Sequence, residues 1–193
     1  MNVGIVVENE RDYVVYDELI RKIRPDVESV VSYPCNDVST LKRAFVGGLK
    51  YFEYYAPNTP LAIDRAFVIR DSDCKDASGC EEDLRRTYER SHFAASFDIQ
   101  FHATKCELET WLLVDENAIN EVSRRRGKGN RVGPARIDFE TYKNAKELFV
   151  TRLSEVRLPD DPQVYREVAS CIDINRVATT CSNFRSFIPK VRA

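Results

Sequence analysis

The chain has 193 residues, a net charge of −2 at pH 7 and a hydrophobic fraction of 43%. This length suits one domain, or one domain with a small appendage, and the hydrophobic fraction is enough for a core. No uninterrupted apolar run approaches the roughly 20 residues of a membrane-spanning helix, so no membrane association is expected. The charge gives no overall positive field that would favour nucleic acid, although a local patch could still bind it.

The N-terminal segment and the cysteines predict where the protein works. The start, MNVGIVVENERD, has no basic leader and turns acidic by Glu8, whereas a secretory signal needs a longer apolar stretch. We therefore expect a cytoplasmic protein. The cysteines form no C-x-x-C pair, so their spacing disfavours zinc. In a reducing compartment we expect free thiols, several of them buried, at Cys35, Cys74, Cys80, Cys106, Cys171 and Cys181.

The first part of the chain alternates predicted strands and helices. Residues 3–7 form a β-branched run that is typical of a strand buried on both faces. A helical period follows from Asp12 to Ile23, and a second strand is predicted at residues 28–33. Asn36 or Asp37 is predicted to cap a helix that ends at Tyr55, before Pro57.

The same alternation continues to about residue 101. A third strand is predicted at residues 66–70, followed by the polar turn 71–76, a charged helix over residues 79–92 and a fourth strand at residues 97–101. Alternating strands and helices indicate an α/β fold with a mainly parallel, Rossmann-like sheet flanked by helices. Right-handed crossovers place the carboxyl ends of all strands at one edge, where active sites of such sheets gather.

The remainder is predicted to be mostly helical. Helices are expected at residues 109–114, 115–122, 138–156 and 163–172, with a last turn or two through Val177. Tyr142, Ala145, Phe149 and Leu153 mark the core face of the longest. We therefore predict an α/β core over residues 1–106 and a helical C-terminal part over residues 107–193 packed on it.

Three carboxylates follow predicted strands and suggest a metal site. Glu8 follows the first strand, and Asp71 and Asp73 end the third, two residues apart. In an extended segment residues two apart point to the same side, so both aspartates can reach one cation. Such acids repel each other unless a divalent metal neutralises them, and oxygen ligands suit Mg²⁺ or Mn²⁺. The alternative is turn or cap chemistry, which is our interpretation of Asp76.

The order strand, Glu8, helix, strand, Asp71-x-Asp73, helix resembles the TOPRIM fold of topoisomerases, primases and OLD-type nucleases. The segments VVENERDYVVYDELI, FVIRDSDC, CELETWLLVDENAI, NAKELF and YREVASCIDINRVATTCSNFRSF resemble a TOPRIM-like bacterial family of uncharacterised proteins. The resemblance spans nearly the whole chain. It implies a metal-dependent endonuclease acting on DNA or RNA, a partner ATPase encoded nearby and a role in anti-phage defence.

The resemblance also assigns roles to individual acids. It places the metal-site glutamate at Glu8, as ligand or general base, the aspartate ligands at Asp71 and Asp73, and a second acidic pair at Glu107 and Glu109. Glu107 fits a surface charge at a helix start equally well. TOPRIM domains usually carry glycine after the glutamate, where this chain has Asn9. Asparagine tolerates left-handed backbone better than most residues, so the turn can survive the change.

Basic residues are candidates for contacts with phosphate. Lys105 and Lys146 are single candidates, and Lys143 and Lys146 share a face of the predicted helix. The concentrated positive stretch lies in a glycine-bearing segment at Arg124, Arg125, Arg126, Lys128 and Arg131. Arginines grip phosphate without reading sequence, but each of these side chains could equally be solvated. Of the two histidines, His102 is the better candidate for a functional residue because it follows the fourth predicted strand. Trp111 is interpreted as a core residue.

Three functions compete on this sequence. The first is a Mg²⁺-dependent nuclease that works with an ATPase. The second is a non-catalytic TOPRIM module that binds metal or nucleotide and serves in assembly, which Asn9 and the low charge favour. The third is a glycosyltransferase or a haloacid-dehalogenase-like phosphatase, but the former leaves Glu8 unused and the latter needs its aspartates after the first strand. A homo-oligomer is left open.

Overall fold

The structure is a computed structural model that describes residues 1–35, 38–54 and 62–193. Its centre is a parallel sheet of four strands in the order β2-β1-β3-β4. The strands are β1 (Asn2–Val7), β2 (Ser29–Pro34), β3 (Arg65–Asp71) and β4 (Asp98–Thr104). Helices flank the sheet, so the predicted α/β, Rossmann-like class consistent with a TOPRIM domain is confirmed.

The first three helices cover opposite faces of the sheet. They are α1 (Glu10–Ile23), α2 (Val38–Tyr54) and α3 (Ala77–Arg90). Val15 and Leu19 of α1 belong to the larger apolar cluster with Val3, whereas Phe45 of α2 packs in a second cluster with Val68. The chain leaves β1 toward one face and β3 toward the other. The carboxyl ends of β1 and β3 therefore form the switch point at which such sheets bind ligands.

The remaining helices follow β4 and extend the larger apolar cluster. They are α4 (Glu109–Leu113), α5 (Glu116–Arg125), α6 (Ala145–Glu155), α7 (Pro162–Cys171), α8 (Ile174–Thr180) and α9 (Ser182–Arg192). Trp111, Phe149, Phe184 and Phe187 are buried in this cluster together with residues of β1 and α1. Trp111 is thus a core residue, as expected. The division at residue 106 remains a prediction.

Asn183 of α9 fixes the end of β4. Its Oδ1 accepts a hydrogen bond from the backbone N–H of Lys105 at 2.9 Å, and its Nδ2 donates to the carbonyl of Ala103 at 3.0 Å. These bonds replace the strand partner that an edge strand lacks at this point. The last helix is therefore part of the frame that positions the carboxyl edge.

Two predicted helices differ from the structure. The helix expected from residue 138 begins at Ala145, because Asp138 accepts a hydrogen bond from the backbone N–H of Glu140 and starts a turn instead. Tyr142 precedes the helix and still packs against the core. The last predicted helical turns end at Val177, whereas in the structure α8 continues to Thr180 and α9 follows. The expected caps Asn36 and Asp37, the helix end Tyr55 and Pro57 lie outside the described residues.

The described residues contain no helix that is both long enough and apolar enough to cross a membrane.

Candidate metal centre

Acidic side chains from several elements meet at the switch point. They line a cavity of about 130 Å³ together with Asn9 and two basic residues. The acids are Glu8, Asp12, Asp71, Asp73, Glu107 and Glu109, and the basic residues are Arg11 and Lys146. The structure therefore brings together all five predicted acids and adds Asp12 to them.

Glu8 is held at the end of β3. Only 7% of this residue is exposed, and its Oε1 accepts a hydrogen bond from the backbone N–H of Asp71 at 3.1 Å. The contact is possible because β1 and β3 are neighbours in the sheet. The predicted convergence of Glu8 and Asp71 on one edge is thus found in the structure.

Asn9 caps α1 and explains the departure from the TOPRIM pattern. Its backbone is extended, with φ −155° and ψ 177°, so the left-handed freedom of glycine is not needed here. Its Oδ1 accepts from the backbone N–H of Asp12 at 3.1 Å, and its Nδ2 donates to Asp12 Oδ2 at 3.0 Å. The expectation that asparagine serves through left-handed backbone is wrong. Asn9 instead satisfies a helix N-terminus and orients Asp12.

Asp73 does not continue the extended strand. Its φ is 51° and that of Cys74 is 58°, and the backbone N–H of Lys75 donates to the carbonyl of Ser72 at 2.9 Å. Positive φ at both central residues is the mark of a type I′ turn, which normally takes asparagine or glycine. Each non-glycine residue in this conformation costs about 1–2 kcal/mol. The assumption that Asp71 and Asp73 point to the same side as strand residues is therefore wrong in this structure.

A disulfide joins this turn to the segment after β4. It links Cys74 to Cys106, whereas Cys35, Cys80, Cys171 and Cys181 are thiols. The prediction of free thiols is wrong for the first two, because the parallel pairing of β3 with β4 brings their following segments side by side. Asp73 also donates its backbone N–H to the carbonyl of Cys106 at 3.1 Å.

Glu107 and Glu109 differ in their surroundings. The Oε2 of Glu107 accepts from the backbone N–H of Lys146 at 2.9 Å and so caps α6, whose own N-cap Asn144 provides no side-chain bond. Glu109 lies in the first turn of α4 and only 6% of it is exposed. Glu107 therefore has a structural role besides lining the cavity. Glu109 caps no helix in this way, so it is the stronger candidate for a metal ligand.

The acids raise one another's affinity for protons. Burial, followed by repulsion from Glu109 and Glu8, raises the pKa of Asp12 to about 8. Burial and the neighbouring carboxylates Asp12 and Glu8 also raise the pKa of Asp71 well above its usual value. Burial likewise raises the pKa of Glu109. A cluster of this kind favours a bound cation, because a cation relieves the repulsion that otherwise keeps protons on the acids.

The donor set fits a hard divalent cation. Carboxylate oxygens are the ligands that Mg²⁺ and Mn²⁺ prefer, and the cavity offers them from three parallel-strand ends and two helices. Within residues 1–35, 38–54 and 62–193, no three His, Cys, Asp or Glu side chains already stand in the geometry of a metal site. Binding of a cation therefore requires the carboxylates that line the cavity to rotate toward one another.

Two basic side chains lie beside the acids. Lys146 is exposed at the rim, and Arg11 pairs with Asp160 at 3.0 Å and stacks over the ring of Tyr165 at 5.4 Å. Of these two residues, Lys146 is predicted from the sequence and Arg11 is not. Lys105 does not line the cavity, and Lys143 precedes α6, so it does not share a helix face with Lys146.

The arginine-rich stretch lies outside this cavity. Arg124 and Arg125 both pair with Glu121, and Arg126 pairs with Glu167 at 2.7 Å. Among the described residues, Lys128 and Arg131 form no ion pair, and Arg131 lines a separate cavity of about 470 Å³ beside α5. A role of this stretch in binding nucleic acid remains a prediction, and only two of its cations are unengaged.

His102 is a structural residue. It is fully buried between Trp111 and Phe187, and its Nδ1 lies 3.3 Å from Lys190 Nζ and 3.2 Å from Glu81 Oε1. Burial lowers its pKa and so disfavours the protonated ring. These contacts attach α9 to β4 and place His102 outside the candidate centre.

A sequence signal existed for the residues that were missed. Asn9 followed three positions later by Asp12 is an N-cap pattern, and it starts the helix at Glu10 rather than at Asp12. That start places Arg11 and Asp12 in the first turn, directly after Glu8.

No protein family and no curated protein matches the chain. Among solved structures it is similar to the C-terminal region of the OLD protein from Xanthomonas campestris pv. campestris. The TM-score is 0.45 at 10% identity, and the match covers 99% of this chain and 98% of that chain. A TM-score this low supports no inference about function.

Proposed function

We propose that the chain is a Mg²⁺- or Mn²⁺-dependent nuclease of the TOPRIM type, which hydrolyses phosphodiester bonds in DNA or RNA. The observation that carries the proposal is the convergence of Glu8, Asp71 and Glu109 in one cavity at the switch point, with Arg11 and Lys146 beside them. The sequence resemblance described above supports the same function.

The residues that line the cavity fall into two groups. The acidic side chains are proposed to bind a metal ion, and the basic side chains are proposed to contact phosphate. The candidate ligands are the five predicted acids, each of which lines the cavity: Glu8, Asp71, Asp73, Glu107 and Glu109. A divalent cation held by these acids would polarise a phosphoryl oxygen and acidify a water molecule. Lys146 and Arg11 stand where they can attract a phosphate that approaches the acids. Glu8 keeps its carboxylate oriented through the Asp71 N–H bond and can also accept a proton from water.

The resemblance extends the proposal to a partner ATPase and to bacterial defence in the cytoplasm. None of these follows from the geometry of the centre. They are tested by copurification with the neighbouring ATPase and by phage infection of cells with and without the Asp71→Asn variant.

The test of the activity is cleavage of plasmid DNA and structured RNA in Mg²⁺, Mn²⁺ or EDTA. Asp71→Asn removes a central carboxylate, and Asp83→Asn is the matched control because Asp83 is exposed on α3 and outside the cavity. We expect cleavage that needs the metal, that Asp71→Asn abolishes and that Asp83→Asn retains. Cleavage that persists in Asp71→Asn contradicts the proposal.

A non-catalytic assembly module is the second candidate. Two observations favour it: Glu107 is engaged as a helix cap, and Arg124, Arg125 and Arg126 are each engaged in an ion pair. Binding of Mn²⁺ without cleavage of either nucleic acid, with the partner ATPase supplied, would establish this alternative.

A further inference from the structure

We propose that Cys74 and Cys106 form a reversible thiol–disulfide switch on the carboxylate cluster, and that the dithiol form binds a divalent cation more tightly than the disulfide form. The inference rests on the proposed function in one respect, namely that these acids hold a cation. It adds regulation of the centre by thiol redox state.

The position of the disulfide couples it to the acids. Cys74 directly follows Asp73, and Cys106 directly precedes Glu107, and both of these acids line the cavity. The bond thus joins the two segments that carry acids after β3 and after β4. Opening or closing it acts on the backbone of two candidate ligands at once.

The backbone of the disulfide form holds Asp73 away from an extended conformation. Asp73, Cys74 and Cys106 all have positive φ, at 51°, 58° and 60°, although none is glycine. The Asp73 side chain is half-exposed and pairs with Lys75 at 3.4 Å. Once the crosslink opens, this turn is free to relax toward an extended course. Asp73 would then point to the same side as Asp71 and could share a cation with it.

The remaining cysteines argue against a disulfide framework. Cys35 and Cys181 are buried thiols, and Cys80 and Cys171 are partly exposed thiols. Secreted domains that rely on disulfides pair their cysteines densely, whereas a single pair beside a site is typical of redox sensing. The pair found here lies at the candidate centre.

The redox step is a thiol–disulfide exchange with a dithiol reductant. Cys74 is partly exposed and Cys106 is buried, so the reductant's thiolate attacks Cys74 Sγ and Cys106 leaves as a thiolate. The second thiol of the reductant then displaces Cys74. The reductant becomes a disulfide and gives up two electrons, and both cysteines end as thiols after taking protons from water.

The experiment compares the two forms of the wild-type chain. Protein is fully oxidised or fully reduced, the reagent is removed, thiol content is confirmed by alkylation and mass spectrometry, and Mn²⁺ binding is titrated by electron paramagnetic resonance. We expect tighter binding by the reduced form, about 5–150-fold, which is the usual range for coupling between two sites. By reciprocity, saturating Mn²⁺ should shift the ratio of reduced to oxidised dithiothreitol at which half of the protein is reduced by the same factor.

Variants distinguish the effect of the disulfide from metal binding by the carboxylates. Cys74→Ser should bind Mn²⁺ like the reduced form and ignore oxidant, whereas the control Cys80→Ser should keep the wild-type response. Asp73→Asn should remove the difference between the two forms. Equal Mn²⁺ affinity in both forms overturns the switch and leaves the proposed function standing. Binding by neither form overturns the proposed function and the switch with it.

Discussion

Glu8 and Asp71 are joined by a hydrogen bond from the Asp71 backbone N–H to the Glu8 carboxylate, at 3.1 Å. The acid at the end of β1 is therefore fixed by the backbone of β3, while the Asp71 side chain stays in the cavity beside it. One carboxylate thus has both a structural and a proposed chemical role, and variants can separate the two.

Glu8→Gln separates charge from hydrogen bonding. Glutamine keeps an oxygen acceptor for the Asp71 N–H but carries no charge, so we expect an unchanged or higher Tm and Mn²⁺ affinity lower by at least about tenfold, or about 1.4 kcal/mol. Glu8→Ala also loses the bond and should cost about 1 kcal/mol in the free energy of unfolding. Calorimetry of unfolding and of Mn²⁺ binding measures both. Undiminished Mn²⁺ affinity in Glu8→Gln would remove Glu8 from the ligand set.

The stability of the metal-free protein should fall as pH rises between about 4 and about 8. In this window the Asp12 carboxyl is ionised in the unfolded chain, with its ordinary pKa of 3.8, but still protonated in the folded chain, where its pKa is about 8. The folded state binds more protons, so raising the pH favours unfolding. Asp12→Asn should flatten this dependence and raise Tm by several degrees at pH 8. Thermal melts in EDTA across pH measure it.

The same pH series has a matched control. Asp83→Asn changes an exposed aspartate on α3 and should leave the slope of Tm against pH as in the wild type. Identical slopes for Asp12→Asn and the wild type would show that Asp12 titrates normally.

Asn9 should matter chiefly as a helix cap. Asn9→Ala removes its acceptor for the Asp12 N–H and should lower the free energy of unfolding by about 1 kcal/mol, whereas glycine at a cap costs only about a few tenths. Urea unfolding measures both variants. Asn9→Gly leaves every carboxylate of the cavity in place, so it should retain any metal binding. A larger loss for glycine than for alanine contradicts the cap interpretation.

Binding of nucleic acid by the arginine-rich stretch should depend on its unengaged cations. Lys128→Ala with Arg131→Ala should weaken binding of a DNA duplex and reduce the slope of log affinity against log salt by about 2. Arg124→Ala should have little effect, because that guanidinium is already bidentate to Glu121. Fluorescence anisotropy at several salt concentrations measures these slopes. Equal loss in all variants would contradict the assignment.

The strands and the meeting of Glu8 with Asp71 could be predicted because each follows from a local rule. Buried β-branched runs mark strands in a parallel sheet, and the carboxyl ends of parallel strands share one edge. The meeting of Glu8 and Asp71 at the carboxyl edge follows from these two rules. Asp12 was missed because periodicity was given more weight than the N-cap pattern that begins at Asn9.

The conformation of Asp73 and the disulfide could not be predicted in the same way. The rule that residues two apart share a side holds only while the chain is extended, and Asp73 lies in a turn. Cys74 and Cys106 are separated by 32 positions, so their contact depends on the pairing of β3 with β4. Helix α9 had a sequence signal, since its buried residues Phe184, Phe187 and Val191 keep helical spacing, but Pro189 inside the helix argues against a helix there.

The bonds from Asn183 to the end of β4 also set an order of events during synthesis. Asn183 follows Lys105 by 78 positions, so a ribosome delivers the strand about 4–16 s before the side chain that anchors it. During that interval the segment that leads into Cys106 and Glu107 lacks its final support. A nascent chain therefore carries the acids well before it carries the frame that aligns them, and the centre matures only as α9 docks.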